Sequence, residues 1–139
     1  MILRMAAACE AARERPDGRL DLVGVFNELS APGFPAMQDD MTMVFIVEWD
    51  ADEAGRQPLR ADMIDEAGRK LLTIQGHTDV EARSADRAPA QTRLVMPLQR
   101  VIFPEPGRYR FDLVAGGHSV DACSIFVGQV ADPDAAGRV

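Results

Sequence analysis

Lysine is nearly absent from this chain: Lys70 is the only one, and the remaining basic residues are arginines. Even so the formal net charge is -7, from 15 basic and 22 acidic residues. A protein that grips a nucleic-acid backbone does so by neutralising phosphates with Lys and Arg, so that class is disfavoured. Docking on anionic lipid is disfavoured for the same reason. Cysteine is as scarce. Cys9 and Cys123 are too few for a disulfide framework and are read as reduced, buried small hydrophobes. No run approaches the roughly 18 apolar residues that a membrane-spanning helix needs. Residues 1–9 faintly resemble a lipoprotein signal ending at Cys9, but they lack a basic region followed by about 7–15 apolar residues. The expected compartment is therefore the cytoplasm.

What is present is an ordinary globular composition, 47% hydrophobic and 27% charged over 139 residues. That length suits one domain with its own core, expected over residues 1–130, with residues 131–139 as a flexible tail. The strongest local signature is Phe103-Pro104-Glu105-Pro106-Gly107-Arg108-Tyr109-Arg110-Phe111-Asp112-Leu113-Val114, then Ala115-Gly116-Gly117-His118. A two-proline entry leads into an alternating strand, with Tyr109, Phe111 and Leu113 on one face and Arg108, Arg110 and Asp112 on the other. The two glycines suit a tight hairpin because both can take positive φ.

At the N-terminus two readings compete. Alanine-rich composition favours helix over residues 2–14, whereas Leu3, Met5, Ala7 and Cys9 form an apolar face at period two. With Pro16-Asp17-Gly18 as a turn and Arg19 to Phe26 as the next strand, a strand–turn–strand arrangement is the better fit. Residues 28–40 carry Pro32, Gly33 and Pro35 and read as a long crossover from one sheet to the other, with Phe34 and Met37 plugging the core edge. Met41 to Trp49 reads as a central strand. Asp52-Glu53-Ala54-Gly55-Arg56 recurs as Asp65-Glu66-Ala67-Gly68-Arg69, two turns flanking one strand with Leu59, Ala61 and Met63 inward and Arg60 and Asp62 outward. Pro97 in the run Thr92 to Gln99 indicates an edge strand or a bulge. About eight short strands with little helix imply an all-β chain, a two-sheet antiparallel β-sandwich of immunoglobulin-like or jelly-roll-like kind.

Three pieces in order carry a resemblance: Ile2-Leu3-Arg4-Met5-Ala6-Ala7-Ala8-Cys9-Glu10; Asp17-Gly18-Arg19-Leu20 leading to Leu22-Val23-Gly24-Val25-Phe26, then Ala31-Pro32 and Phe34-Pro35; and Val101-Ile102-Phe103-Pro104-Glu105-Pro106-Gly107-Arg108-Tyr109-Arg110-Phe111. On these the chain resembles an uncharacterised bacterial family of small β-sandwich domains of unknown function. The resemblance covers nearly the whole chain. It implies the fold and carries no activity across.

Chemistry-bearing residues are few. The only histidines are His77 and His118, and no Cys-x-x-Cys, His-x-x-x-His or His-Glu-x-x-His spacing occurs. The nearest approach to a metal set is His118, Asp121 and Cys123, but Asp121 and Cys123 share one strand face and His118 lies on the other or in the turn. Asp50-Ala51-Asp52-Glu53-Ala54-Gly55 begins like a calcium loop and fails at its twelfth position, Ala61. No serine sits in a Gly-x-Ser-x-Gly elbow. No cofactor is expected, and the chain is not expected to be an enzyme. Trp49, Arg108 and Arg110 are the candidate partner-contact residues, although Trp49 suits the core better and the arginines suit cross-strand pairing.

The sequence thus favours a non-catalytic module acting through protein contacts, plausible as a homodimer through a sheet face or edge strand. Val23, Val25, Val44 and Ile46 lie opposite the main core faces and support that reading. The alternative is a small-ligand or metal site, even a hydrolase, near His77 or His118.

Overall fold

The computed structural model describes residues 1–130, so the expected tail at 131–139 lies outside the described residues. The chain is all-β. Its strands are β1 (Ile2–Cys9), β2 (Ala11–Glu14), β3 (Leu20–Val23), β4 (Glu28–Ala31), β5 (Ala36–Glu48), β6 (Gly55–Ile64), β7 (Lys70–Val80), β8 (Gln91–Phe103), β9 (Gly107–Ala115) and β10 (His118–Gln129). A short 3₁₀ turn at Ala51–Glu53 is the only helical piece among the described residues. The strands form a three-stranded sheet in the order β1-β5-β8, a five-stranded sheet β4-β10-β9-β6-β7, and the hairpin β2-β3.

The N-terminal segment is strand and not helix. Its period-two apolar face wins over alanine's helix propensity because burial of that face outweighs a weak intrinsic preference. β2 and β3 then pair in register from Ala11↔Val23 to Glu14↔Leu20. Gly18, at φ 85°, closes their turn by donating to the Arg15 carbonyl at 2.9 Å.

The expected count of about eight strands in two sheets is corrected to ten in three among the described residues. The largest departure is in the segment read as a crossover. Glu28–Ala31 is a strand, pairing in parallel with β10 from Phe126↔Glu28 to Gln129↔Ala31. Residues 32–35 alone pass the chain from the five-stranded to the three-stranded sheet, and β5 begins at Ala36, ahead of the expected Met41. β5 lies between two partners, so ladder hydrogen bonds extend it through Gln38, Asp39 and Asp40, which local propensity would leave as loop. Phe34 is half-buried, but Met37 is 53% exposed and plugs nothing.

Other expectations match. Pro97 lies on β8, an edge strand of its sheet among the described residues, the position where a strand proline is tolerated. The two acidic echoes are indeed turns at either end of β6. In the first, Glu53 accepts the Asp50 N–H at 2.8 Å; in the second, Asp65 accepts the Arg69 N–H at 2.8 Å and the Arg69 guanidinium at 2.8 Å. Gly116 and Gly117 take φ 57° and 77° between β9 and β10, the hairpin geometry that their sequence implies.

Contacts divide the chain into two compact units. One comprises Met1–Ala6, Phe45–Leu94 and Arg110–Cys123; its core holds Phe45, Val47, Trp49, Met63, Phe111 and Leu113, all at most 3% exposed. The other comprises Ala7–Val44, Val95–Tyr109 and the chain from Ser124, with Cys9, Met43, Val44, Phe103, Tyr109 and Ile125 at most 2% exposed. No helix among the described residues is long and apolar enough to cross a membrane.

Candidate functional site

β6 and β7 form a long antiparallel hairpin, in register from Gly55↔Val80 to Ala61↔Ile74 and irregular between Met63 and Ile64. Alternation puts Leu59, Ala61 and Met63 of β6 and Leu72, Ile74 and Gly76 of β7 on one face. Arg56, Pro58, Arg60 and Asp62 share the other with Asp79, His77, Gln75 and Thr73 opposite them. Among the described residues β7 ends its sheet, with no strand partner on one side.

Near the Gly55 end of the hairpin the two paired strands carry a hollow. A groove of about 470 Å³ is lined by Arg56, Pro58, Leu59, Gln75, Gly76 and His77. The Arg56 Nη2 lies 3.2 Å from the His77 Nδ1. A guanidinium has no acceptor, so in this hydrogen bond the Nδ1 accepts. Asp79 stands directly across the ladder from Arg56, yet among the described residues no carboxylate forms an ion pair with that guanidinium. Gly76 adds no side chain, and a Cβ built there would meet nothing within 4 Å. The groove therefore offers a cation and apolar lining, on a hairpin whose outer strand ends its sheet among the described residues.

One residue on the same face departs from expectation. Asp62 is 2% exposed, not on a wet face. Its Oδ1 accepts the Thr73 hydroxyl at 2.7 Å; its Oδ2 lies 3.1 Å from the Arg60 Nε and 3.7 Å from the Lys70 Nζ. Burial works to raise the Asp62 carboxyl, but the Thr73 hydroxyl and the Arg60 and Lys70 charges outweigh it and hold it below the ordinary carboxylate value. Strand alternation alone marks this position as outward; what covers it are long neighbouring side chains, which carry no periodic signal.

The other candidate residues are dispersed. His118 is exposed at the start of β10, and Asp121 is exposed further along it. The half-buried Cys123 thiol is pushed up to about 11, by burial first and the Asp121 charge second. Ligand atoms of His118, Asp121 and Cys123 do not converge among the described residues; those of Asp50, Asp52 and Glu53 do, within 4.8 Å. There the Met1 ammonium is the cation, 2.7 Å from Asp50 and 2.7 Å from Glu53. Hydrogen bonds to the two acids raise that ammonium and lower Asp50.

Trp49 is 3% exposed, its indole N–H donating to the Thr92 hydroxyl at 2.8 Å. It is a core residue with a satisfied polar tip and offers no exposed anchor. A second cleft, about 330 Å³, lies beside it with Asp79, Glu81, Gln91 and Thr92 in its lining. The Arg108 Nε donates to the Ser124 hydroxyl at 2.9 Å, and the Arg110 Nε contacts both Asp112 oxygens at 3.2 and 3.3 Å. Both arginines are thus engaged within the chain. Arg56, the cation that faces an open groove, went unnoticed as a site in the sequence, because there it reads only as the last residue of an acidic turn.

The chain belongs to DUF6941, a protein family of unknown function, whose model matches residues 4–128. A search of curated proteins finds no match.

Proposed function

We propose that this member of a family without an assigned activity is a non-catalytic β-sandwich module that works through protein contacts, made by strand addition along β7. One observation carries the reading: β7 is 11 residues long and ends the five-stranded sheet. Natural edges are blunted by proline, bulges, charged side chains or shortness. Over Thr73-Ile74-Gln75-Gly76-His77 this edge has no proline, Lys, Arg, Asp or Glu, and the register with β6 is unbroken. Such a strand offers a row of backbone donors and acceptors to an extended partner. The setting we assign it is the cytoplasm.

Self-association is one form of this contact. The two-fold antiparallel register centred on Gln75 sets Thr73 opposite His77 of a second copy, with no like charges facing. Apolar exposure gives it partial support: Val23 and Val25 are 56% and 61% exposed, whereas Val44 is fully buried and Ile46 half-buried. The alternative, a ligand site near His77 or His118, has support only at His77, where the groove lies.

Amide hydrogen exchange along β7, followed over a wide protein concentration range beside sedimentation equilibrium, tests the reading. A pairing edge shows outward amides that gain protection when a partner strand is supplied, or on concentration if the partner is a second copy. Outward amides of Thr73 to His77 that are already fully protected in a dilute monomer would rule the edge out.

A further inference from the structure

We infer that the Arg56–His77 groove is a subsite for a single carboxylate carried on an extended partner strand that adds to β7. This rests on the edge-strand reading above and names the partner's chemistry.

The cation comes first. Bonding to the His77 Nδ1 engages one of the five guanidinium N–H groups and fixes the plane of the fork. The rest remain for a ligand, and a planar fork matches a carboxylate in two parallel hydrogen bonds. The groove's lining adds the Gln75 amide as a further polar group, and the exposed Pro58 ring as apolar surface for the methylenes of an acidic side chain. A carboxylate on an added strand would therefore meet the fork while its backbone pairs with β7.

A second copy paired in the two-fold register centred on Gln75 does not supply that carboxylate. In the two-fold register that pairs Thr73 to His77 with itself, the residues opposite His77 and Asp79 are Thr73 and Leu71. Neither is acidic, and the other charged residues of β7, Lys70 and Asp79, fall at its ends. The Arg56 charge would stay uncompensated in such a dimer. A foreign strand with one Asp or Glu at the position beside His77 compensates it. A run of acids is disfavoured, because the net charge of -7 repels it.

The test is a random nine-residue peptide library displayed on phage, panned against the full chain and against Arg56→Gln. Enriched peptides are then measured by titration calorimetry in Glu and Gln versions. The expected result is enrichment of Asp or Glu at one fixed position, lost with Arg56→Gln. The Glu peptide should bind the native chain about tenfold or more tightly than its Gln version, and the two should bind Arg56→Gln alike. Arg56→Lys, which keeps the charge and loses the fork, should fall between. Peptides enriched without an acid, yet protecting β7 amides, would overturn the carboxylate subsite and leave the edge reading intact. No enrichment at all would overturn both. Arg56 is exposed, so circular dichroism of Arg56→Gln should match the native chain; should it not, the Glu-against-Gln comparison on the native chain alone decides.

Discussion

Tyr109→Phe removes one oxygen and leaves the packing in place. The ring is 2% exposed and meets Phe103 edge-on, with centroids 4.9 Å apart at 71°, contacts that phenylalanine retains. The hydroxyl accepts the Glu105 backbone N–H at 3.1 Å and donates to the Glu105 carbonyl. It thereby ties the Pro104–Pro106 turn to the start of β9, in the manner of a tyrosine corner. A neutral hydrogen bond contributes about 0.5–1.5 kcal/mol net, and two are lost. Glu105 is exposed, so water recovers part of the loss, and about 2 kcal/mol is the expected cost. At about 2.1 cal/mol/K of unfolding entropy per residue, this lowers the Tm of a 139-residue chain by about 7 °C. Thermal and urea unfolding followed by circular dichroism measure it, with an unchanged urea slope showing that the unfolded reference is the same. A variant melting within about a degree of the native chain would refute the reasoning. Water would then replace both bonds without loss, and the prolines alone would hold the turn.

Asp62→Ala should destabilise by about 2 kcal/mol, chiefly through the charge-assisted Thr73 bond, since Arg60 and Lys70 are 43% and 55% exposed and add little. Asp62→Asn, which keeps an acceptor, should cost less in urea unfolding. Because the folded Asp62 lies below its unfolded value, its contribution is complete above the ordinary carboxylate range and is lost as pH falls through the folded value. Asp62→Asn should therefore flatten the acid limb of stability against pH; an unchanged limb would contradict the assignment. Cys123, pushed up from 9.0 to about 11, carries about a hundredfold less thiolate at pH 8 than in the unfolded chain, so a disulfide reagent should label it far more slowly in the native state. Here stability is complete below the unfolded value and declines as pH rises towards the folded one; native labelling of Cys123 as fast as in urea, read by peptide mass, would count against its burial.

Much of the fold was legible because its signals are local. The alternation of Tyr109, Phe111 and Leu113, the paired glycines at 116 and 117, and Pro97 each report a constraint that acts within a few residues. β4 and the start of β5 were not legible. Glu28–Ala31 becomes a strand only because β10 lies alongside it in parallel, and no local pattern encodes a partner 98 residues away, as from Phe126 to Glu28. Asp62 failed for a related reason. Period two says which face a residue points to, whereas its burial depends on how Arg60, Lys70 and Thr73 lie over that face.

Arg56 shows where register carries information that alternation lacks. From the β6–β7 register alone, Arg56 opposite Asp79 would be taken as a cross-strand ion pair, the ordinary fate of facing opposite charges. The guanidinium instead turns to His77, two residues along the edge strand, and Asp79 lines the cleft beside Trp49 with Glu81. The imidazole satisfies one N–H but brings no negative charge, so the strand end keeps its cation and its two acids in separate hollows. An exposed ion pair contributes only about 0–1 kcal/mol, so little stability is lost by leaving this one unmade. What is gained is a cation with no carboxylate partner among the described residues, beside the strand that ends the sheet, and that local charge favours a partner strand bringing a single carboxylate of its own, against the overall charge of -7.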